Sequence, residues 1–99
     1  MIERHWRGLA KPEFAAEYVA HLRRDTFPQI ERMDGFVDAS ILRRKLEHGV
    51  EFLIITRWKS LDAIRAFAGA DAEVAVVPAN VQRMMIEYDP RARHYDVLT

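Results

Sequence analysis

The sequence contains no cysteine, no net charge and no long apolar run, and each absence excludes a class of function. Without cysteine the chain has no disulfides, thiolate nucleophiles or cysteine-ligated metal centres. Fifteen basic and fifteen acidic residues cancel, so no net field favours nucleic acid or an anionic membrane. No apolar run approaches the roughly 18 residues that a membrane span needs. The first residues carry charge and no apolar signal core, so we expect a soluble, cytoplasmic protein.

What is present suits one globular unit. The chain has 99 residues, of which 49% are hydrophobic and 30% charged, as in an ordinary folded domain. This length supports a modest core but not two cores. We therefore expect a single domain over residues 1–99.

The first half of the chain predicts a strand followed by a helix. Residues 2–9 read as a strand, and Pro12 suits the first turn of a helix that runs to about residue 26. Pro28 should break this helix because proline removes a main-chain donor. The apolar positions of the helix recur on one face: Phe14, Ala15, Tyr18, Val19 and Leu22.

The middle of the chain predicts an antiparallel hairpin and a second helix. The strands are residues 36–46 and 50–58, joined by a tight reversal. Ser60 is a good N-cap, and Gly69 marks the end of the helix. The buried positions of this helix should be Leu61, Ile64, Phe67 and Ala68.

The last third is less regular. Asp71 could cap a short helical turn, and Pro78 could start a helix that Pro90 ends. Residues 91–98 read as a final strand. The resulting order, strand–helix–strand–strand–helix–strand, predicts an α+β fold of the ferredoxin-like βαββαβ kind with an antiparallel sheet.

The strand over residues 52–58 is apolar on both faces, and such a strand must be covered on both faces. A short chain has few helices for this, so we expect a second subunit. We further expect the first and third strands to run parallel at the sheet centre, with the fourth antiparallel to the first. That arrangement would gather four rings at one end of the sheet: Trp6, Trp58, His5 and His94.

Five short segments, spread over nearly the whole chain, carry a family resemblance: MI (1–2), HWRG (5–8), TRWKS (56–60), AIRAFAG (63–69) and HYDVL (94–98). Together they resemble the antibiotic biosynthesis monooxygenase family. The resemblance implies a homodimeric α+β barrel, in which two ferredoxin-like sheets pack face to face and a pocket lies between sheet and helices. Better-known relatives oxidise aromatic polyketides or quinols with molecular oxygen, without metal or flavin.

Such a reaction on a small aromatic, quinol or polyketide-like substrate needs a base, an apolar cavity and donors for a developing anion. His94 is the candidate base or orienting group, because imidazole titrates near neutral pH. Arg4 and Arg57 are candidates for stabilising negative charge. The candidate substrate-binding residues are ring-bearing side chains: Trp6, Trp58, Phe67, His5 and Tyr18.

Each candidate also has a purely structural interpretation. His94 could be a packed histidine on an edge strand, and the tryptophans could belong to the core or the dimer interface. The alternative function is therefore a non-catalytic small-ligand-binding or stress-response homodimer of the same fold. A structural dimer with a filled pocket is the third possibility.

Haem and metal ions are not expected as cofactors. Haem-degrading relatives resemble one another through an asparagine on the first strand, a tryptophan on the second helix and a haem-ligating histidine just beyond. Here residues 2–8 contain no asparagine, Phe67 stands near the expected tryptophan, and no histidine lies between His48 and His94. The four histidines show no paired ligand spacing, which argues against a metal site.

Overall fold

The computed structural model describes all residues from Met1 to Thr99 and places the helices on one face of a five-stranded sheet. The strands are β1 (Ile2–Ala10), β2 (Phe36–Lys45), β3 (Val50–Trp58), β4 (Met85–Tyr88) and β5 (Arg93–Asp96). The helices are α1 (Ala15–His21), α2 (Phe27–Ile30), α3 (Leu61–Ala68) and α4 (Ala79–Met84). The α+β class with an antiparallel sheet is as predicted.

The strand order is β2–β3–β1–β4, with β5 also paired to β1. The predicted parallel pairing of the first and third strands is wrong: β3 runs antiparallel to β1, with Ile2 opposite Trp58 and Trp6 opposite Ile54. The reason lies in the hairpin. Because β3 folds back from β2, it enters the sheet between β1 and β2 and runs against both.

The edge of the sheet beside β1 is built from two short strands. The segment that sequence analysis extends as a helix through Met85 instead becomes β4, which pairs with the end of β1, while β5 pairs with its beginning from Ile2 to His5. Pro90 lies between the two strands. Asp71 does not open a helix; its carboxylate accepts the N–H of Glu73 in a turn.

Pro28 does not break the first helical region. Residues Leu22–Thr26 form a π turn between α1 and α2, closed by a hydrogen bond from the Phe27 N–H to the Leu22 carbonyl. A π turn holds one more residue than an α turn. Pro28 then falls in the first turn of α2, where its missing donor costs little, so the chain stays helical to Ile30.

The predicted second helix is confirmed as α3. The Ser60 Oγ accepts a hydrogen bond from the Ala63 N–H at 3.2 Å, the N-cap expected from sequence. The helix stops at Gly69, whose φ of +102° is a conformation that side chains rarely adopt. None of these helices combines the length and the apolar character that crossing a bilayer requires.

The two faces of the sheet differ sharply. The covered face carries the even-numbered residues of β1 and β3, and the helices pack on it in two apolar clusters, one around Phe52 and Tyr18 and one around Trp58 and Ile64. The open face carries the odd-numbered residues, among them Glu3, His5, Arg7, Ile55 and Arg57. The candidate site lies on the covered face.

Candidate functional site

A cavity of about 80 Å³ lies between the covered face and the helices. Its walls are mostly apolar and include Trp6, Phe27, Ile54, Phe67 and Val81. Its polar groups come from β1, β3 and the first helical region: Arg4, Thr56, Tyr18, His21 and Thr26. An apolar cavity with a few convergent polar groups is the usual form of a small-molecule site.

Trp6 is fixed at both ends of its ring. Its Nε1–H donates to the Asp89 carbonyl at 2.8 Å, and its six-membered ring lies over Gly8. A Cβ at position 8 would stand 2.6 Å from the Trp6 Cη2, so only glycine leaves the ring in place. Gly8 therefore positions the tryptophan wall of the cavity.

Tyr18 brings a neutral donor into the apolar surroundings. Its ring packs edge-on against Phe52 with centroids 5.0 Å apart, and the residue is 2% exposed. Burial raises the pKa of the Tyr18 hydroxyl, which therefore keeps its proton. The hydroxyl has no partner in the protein, yet no fully buried side-chain polar atom is unpaired. The Tyr18 Oη must therefore keep contact with the cavity that this residue lines.

His21 is held by two neighbours that the π turn brings close. Its Nδ1 lies 3.1 Å from Asp25 Oδ2, and its Nε2 lies 3.2 Å from Thr26 Oγ1. A carboxylate only accepts hydrogen bonds, so the ring proton belongs on Nδ1 and Nε2 accepts from the Thr26 hydroxyl. The Asn80 amide lies 3.4 Å from the same Nδ1. The imidazole is thus oriented with a lone pair at the wall of the cavity.

Arg4 is a buried cation without a carboxylate partner. It is 5% exposed and donates to the carbonyls of Ala72 and Val74, the latter at 2.9 Å. A third N–H donates to His94 Nε2 at 2.8 Å, and the guanidinium carbon lies 5.7 Å from the centre of the Phe67 ring. Burial lowers the pKa of Arg4 to about 10, so the side chain stays charged at neutral pH.

The cavity brings together three of the residues predicted from sequence, Trp6, Tyr18 and Phe67. His94 lies on β5 opposite Arg4 and lines a separate shallow depression together with Asp71 and Glu73. Burial and then the Arg4 charge lower the pKa of His94 and favour its neutral form, whose Nε2 accepts from Arg4. Its role as base or orienting group stays a prediction.

The predicted gathering of both tryptophans, His5 and His94 is not observed. Trp58 is fully buried, stacks on Phe67 at 5.7 Å and donates to Thr56 Oγ1 at 2.9 Å, so it backs the cavity wall without lining it. His5 points to the open face, where its Nε2 lies 2.6 Å from Glu3 Oε1. The antiparallel register and the strand alternation separate these side chains.

Sequence analysis overlooked two residues of the site. His21 follows Tyr18 by three positions and precedes Asp25 by four, which places all three on neighbouring parts of a helix surface. That spacing was a usable signal. Arg4 gave none, because an arginine on a strand usually faces water.

Comparison with known proteins agrees with this architecture. The sequence matches the family model described as antibiotic biosynthesis monooxygenase over residues 1–78. The fold resembles the crystal structure of a Bacillus cereus protein assigned to the antibiotic biosynthesis monooxygenases, with a TM-score of 0.63 at 20% sequence identity, covering 99% of this chain and 93% of the other. No curated protein sequence matches. Because the family model spans most of the sheet and the helices that enclose the cavity, the chain belongs to the antibiotic biosynthesis monooxygenase family.

Proposed function

We propose that this protein binds a small, single-ring aromatic substrate in the cavity and oxidises it with molecular oxygen, without a metal or flavin. One observation carries the proposal: a single apolar cavity holds the rings of Trp6 and Phe67 and an imidazole, His21, that Asp25 orients. Membership of the family supports a monooxygenase-like activity.

The chemistry begins with proton removal. The Nε2 lone pair of His21 takes a proton from a hydroxyl or an acidic ring CH of the substrate, and Asp25 stabilises the imidazolium that forms. The substrate anion then gives electrons to oxygen. Where a ring CH₂ becomes C=O, the carbon loses four electrons, and one O₂ becomes the carbonyl oxygen and one water. The substrate is the reductant, so no further electron donor is required.

The size of the cavity favours one ring over several. It measures about 80 Å³, whereas an engineered apolar cavity of about 150 Å³ accepts benzene. A ring therefore enters only if part of the wall moves outward. Val76 and Pro78 supply that part, because they belong to an irregular segment before α4 and Val76 is 48% exposed. A three-ring polyketide needs a far larger displacement.

His94 is proposed here as an orienting group. Its Nε2 accepts an N–H of Arg4, and the two side chains face different depressions. The imidazole thereby supports the guanidinium from the side away from the cavity.

Oxygen consumption with a panel of single-ring hydroquinones and phenols, plus anthrone as a three-ring comparison, tests the proposal. We expect turnover of at least one single-ring compound and a loss of about 100-fold or more in kcat for His21→Gln, the usual contribution of general base catalysis. Asp25→Asn should lower kcat less. His48→Gln, in the exposed hairpin turn, is the matched control and should retain the wild-type rate.

The outcomes separate the two histidines. If His94→Gln abolishes turnover while His21→Gln retains it, His94 is the base and the assignment to His21 is wrong. No oxygen uptake with any member of the panel would contradict catalysis.

Binding without catalysis is the second candidate function. It is favoured by the occupied state of the nitrogen bases: His94 Nε2 already accepts from Arg4, and His21 Nε2 already accepts from Thr26. A ligand that binds and shifts the thermal midpoint without consuming oxygen would identify this function.

The assembly that acts is proposed to be a homodimer formed through the open face. Proteins of this family are commonly dimeric. Leu42 and Leu53 face each other across β2 and β3, where Leu42 is 45% exposed, and charged pairs surround them. Light scattering should give about twice 11.6 kDa, and Leu42→Lys should shift it toward the monomer. A wild-type monomer at micromolar concentration would contradict the dimer.

A further inference from the structure

We propose that the ligand of this cavity is bound as an anion, a carboxylate or phenolate, with its charged oxygen at the Arg4 end. The inference rests on the proposed function only in assigning a ligand to this cavity. It names the chemical class of that ligand, and it holds whether or not the ligand is oxidised.

The first observation is that Arg4 has hydrogen-bonding capacity left over. A guanidinium carries five N–H donors. Three are used, two of them by the Ala72 and Val74 carbonyls and one by His94. The Nε–H has no partner, and since no sealed side-chain polar atom is unpaired, it remains accessible. Arg4 lines the sheet–helix cavity and not the depression beside His94, so the cavity is where it is accessible.

The second observation is that the Arg4 charge is not neutralised by the protein. Every other arginine that forms an ion pair does so with a carboxylate within 4 Å, whereas Arg4 forms none. Glu73 acts on it only from a distance and is itself 3.5 Å from Arg91. A buried cation without a counter-ion is costly, and an anion entering the cavity would remove that cost.

The third observation is a second donor in the same cavity. The Tyr18 hydroxyl keeps its proton, has no protein partner and lines the cavity together with Arg4. A charged donor and a neutral donor in an apolar enclosure favour an anionic oxygen over an amide or an alcohol, because hydrogen bonds to a charged acceptor are stronger. The rings of Trp6 and Phe67 supply flat surfaces for the rest of the ligand.

Isothermal titration at pH 7 with benzoate and with benzamide, its uncharged counterpart of the same shape, tests the inference. We expect benzoate to bind about tenfold more tightly or better, as a charge-assisted hydrogen bond implies. Arg4→Met should abolish this preference, and Tyr18→Phe should reduce it by a smaller factor. Arg32→Met, which removes an exposed arginine outside the cavity, is the matched control and should leave the preference intact.

Equal binding of the two compounds, tighter binding of benzamide, or no binding of either would overturn the inference. If Arg4→Met does not fold, the wild-type ratio and the Tyr18→Phe ratio decide the question. Oxygen uptake is measured separately: a benzoate preference without turnover of any substrate retains the anion site and removes catalysis. Turnover without any preference for anions does the reverse.

Discussion

Arginines on the two faces of this sheet are in opposite situations. Arg57, on the open face, donates to Glu3 Oε2 at 2.9 Å and to Asp38 Oδ1 at 2.8 Å, and these carboxylates raise its pKa. Arg4, two strand positions from the end of the sheet on the covered face, meets backbone carbonyls and an imidazole, and burial lowers its pKa. The open face neutralises its charges within the chain. The covered face keeps one charge free beside a cavity.

The difference teaches where function can reside in a small α+β protein. Ion pairs in water contribute little stability and bind little else, because each partner already has what it needs. A buried cation without an anion lowers stability and is therefore expected mainly where a ligand compensates for it. The following measurements test this contrast, beginning with the largest effect.

Trp58→Ala should lower the free energy of unfolding by about 3–5 kcal/mol, because a fully buried tryptophan leaves a large void. Urea denaturation measures it. Tyr95→Ala is the aromatic counterpart on the open face, where Tyr95 is 50% exposed, and should cost about 1 kcal/mol or less. Equal costs for the two variants would break the contrast and would indicate that the open face is covered in solution.

Arg4→Met should destabilise the protein by about 2 kcal/mol, because the buried carbonyls of Ala72 and Val74 lose their donor. The loss of the unpaired charge offsets part of this. Arg57→Met should cost under about 1 kcal/mol, and less still in about 1 M salt, where exposed pairs are screened. Urea titrations at low and high salt compare the two. A larger, salt-sensitive effect at Arg4 would place this side chain in water.

Thr56→Val should cost about 1–2 kcal/mol, because it leaves the buried Trp58 N–H without its acceptor at nearly unchanged volume. Ser40→Ala removes a hydroxyl that accepts from Arg57 at 3.2 Å on the open face, where water can replace it. We expect less than about 0.5 kcal/mol there. Thermal unfolding of both variants beside the wild type makes the comparison, and a reversed order would contradict it.

Lowering the pH should destabilise the two faces in different ranges. The pKa of His94 is lowered by burial and by Arg4, so the unfolded chain takes up a proton first, and stability falls as the pH drops below about 6.5. The pKa of Glu3 is lowered by hydrogen bonds from His5 and Arg57, so its contribution is lost only below about pH 4.5. His94→Gln should flatten the upper range and Glu3→Gln the lower. A profile that neither variant changes would exclude both assignments.

Much of the fold follows from local pattern, whereas the site depends on how strands meet. The cap at Ser60, the stop at Gly69 and the hairpin of β2 and β3 are local signals, and the structure has each of them. The direction of β3 relative to β1 is set by tertiary pairing, which periodicity does not encode, and the error there misplaced Trp58 relative to Trp6. The apolar run ending at Met85 fits both a helix and a strand, so β4 was missed.

The site residues show the same limit. Trp6, Tyr18 and Phe67 are large and aromatic, so composition alone makes them candidates for an apolar cavity, and all three line it. His94 was favoured as an isolated titratable group, yet whether it faces substrate depends on Arg4 standing between them. The burial of Arg4 itself arises from loop residues Ala72 and Val74, which lie about 70 positions away in sequence.

The extra residue in the π turn gives the first helical region a shifted phase. Each residue of an α-helix advances the chain by about 100°, so deleting one residue from 22–26 restores ordinary winding and rotates everything after it by that angle. Phe27 and Ile30 would swing away from the cavity while the helix stays helical. Such a single-codon deletion should keep the circular dichroism spectrum and lose ligand binding, which makes the turn a point where natural length variation among relatives can switch the pocket.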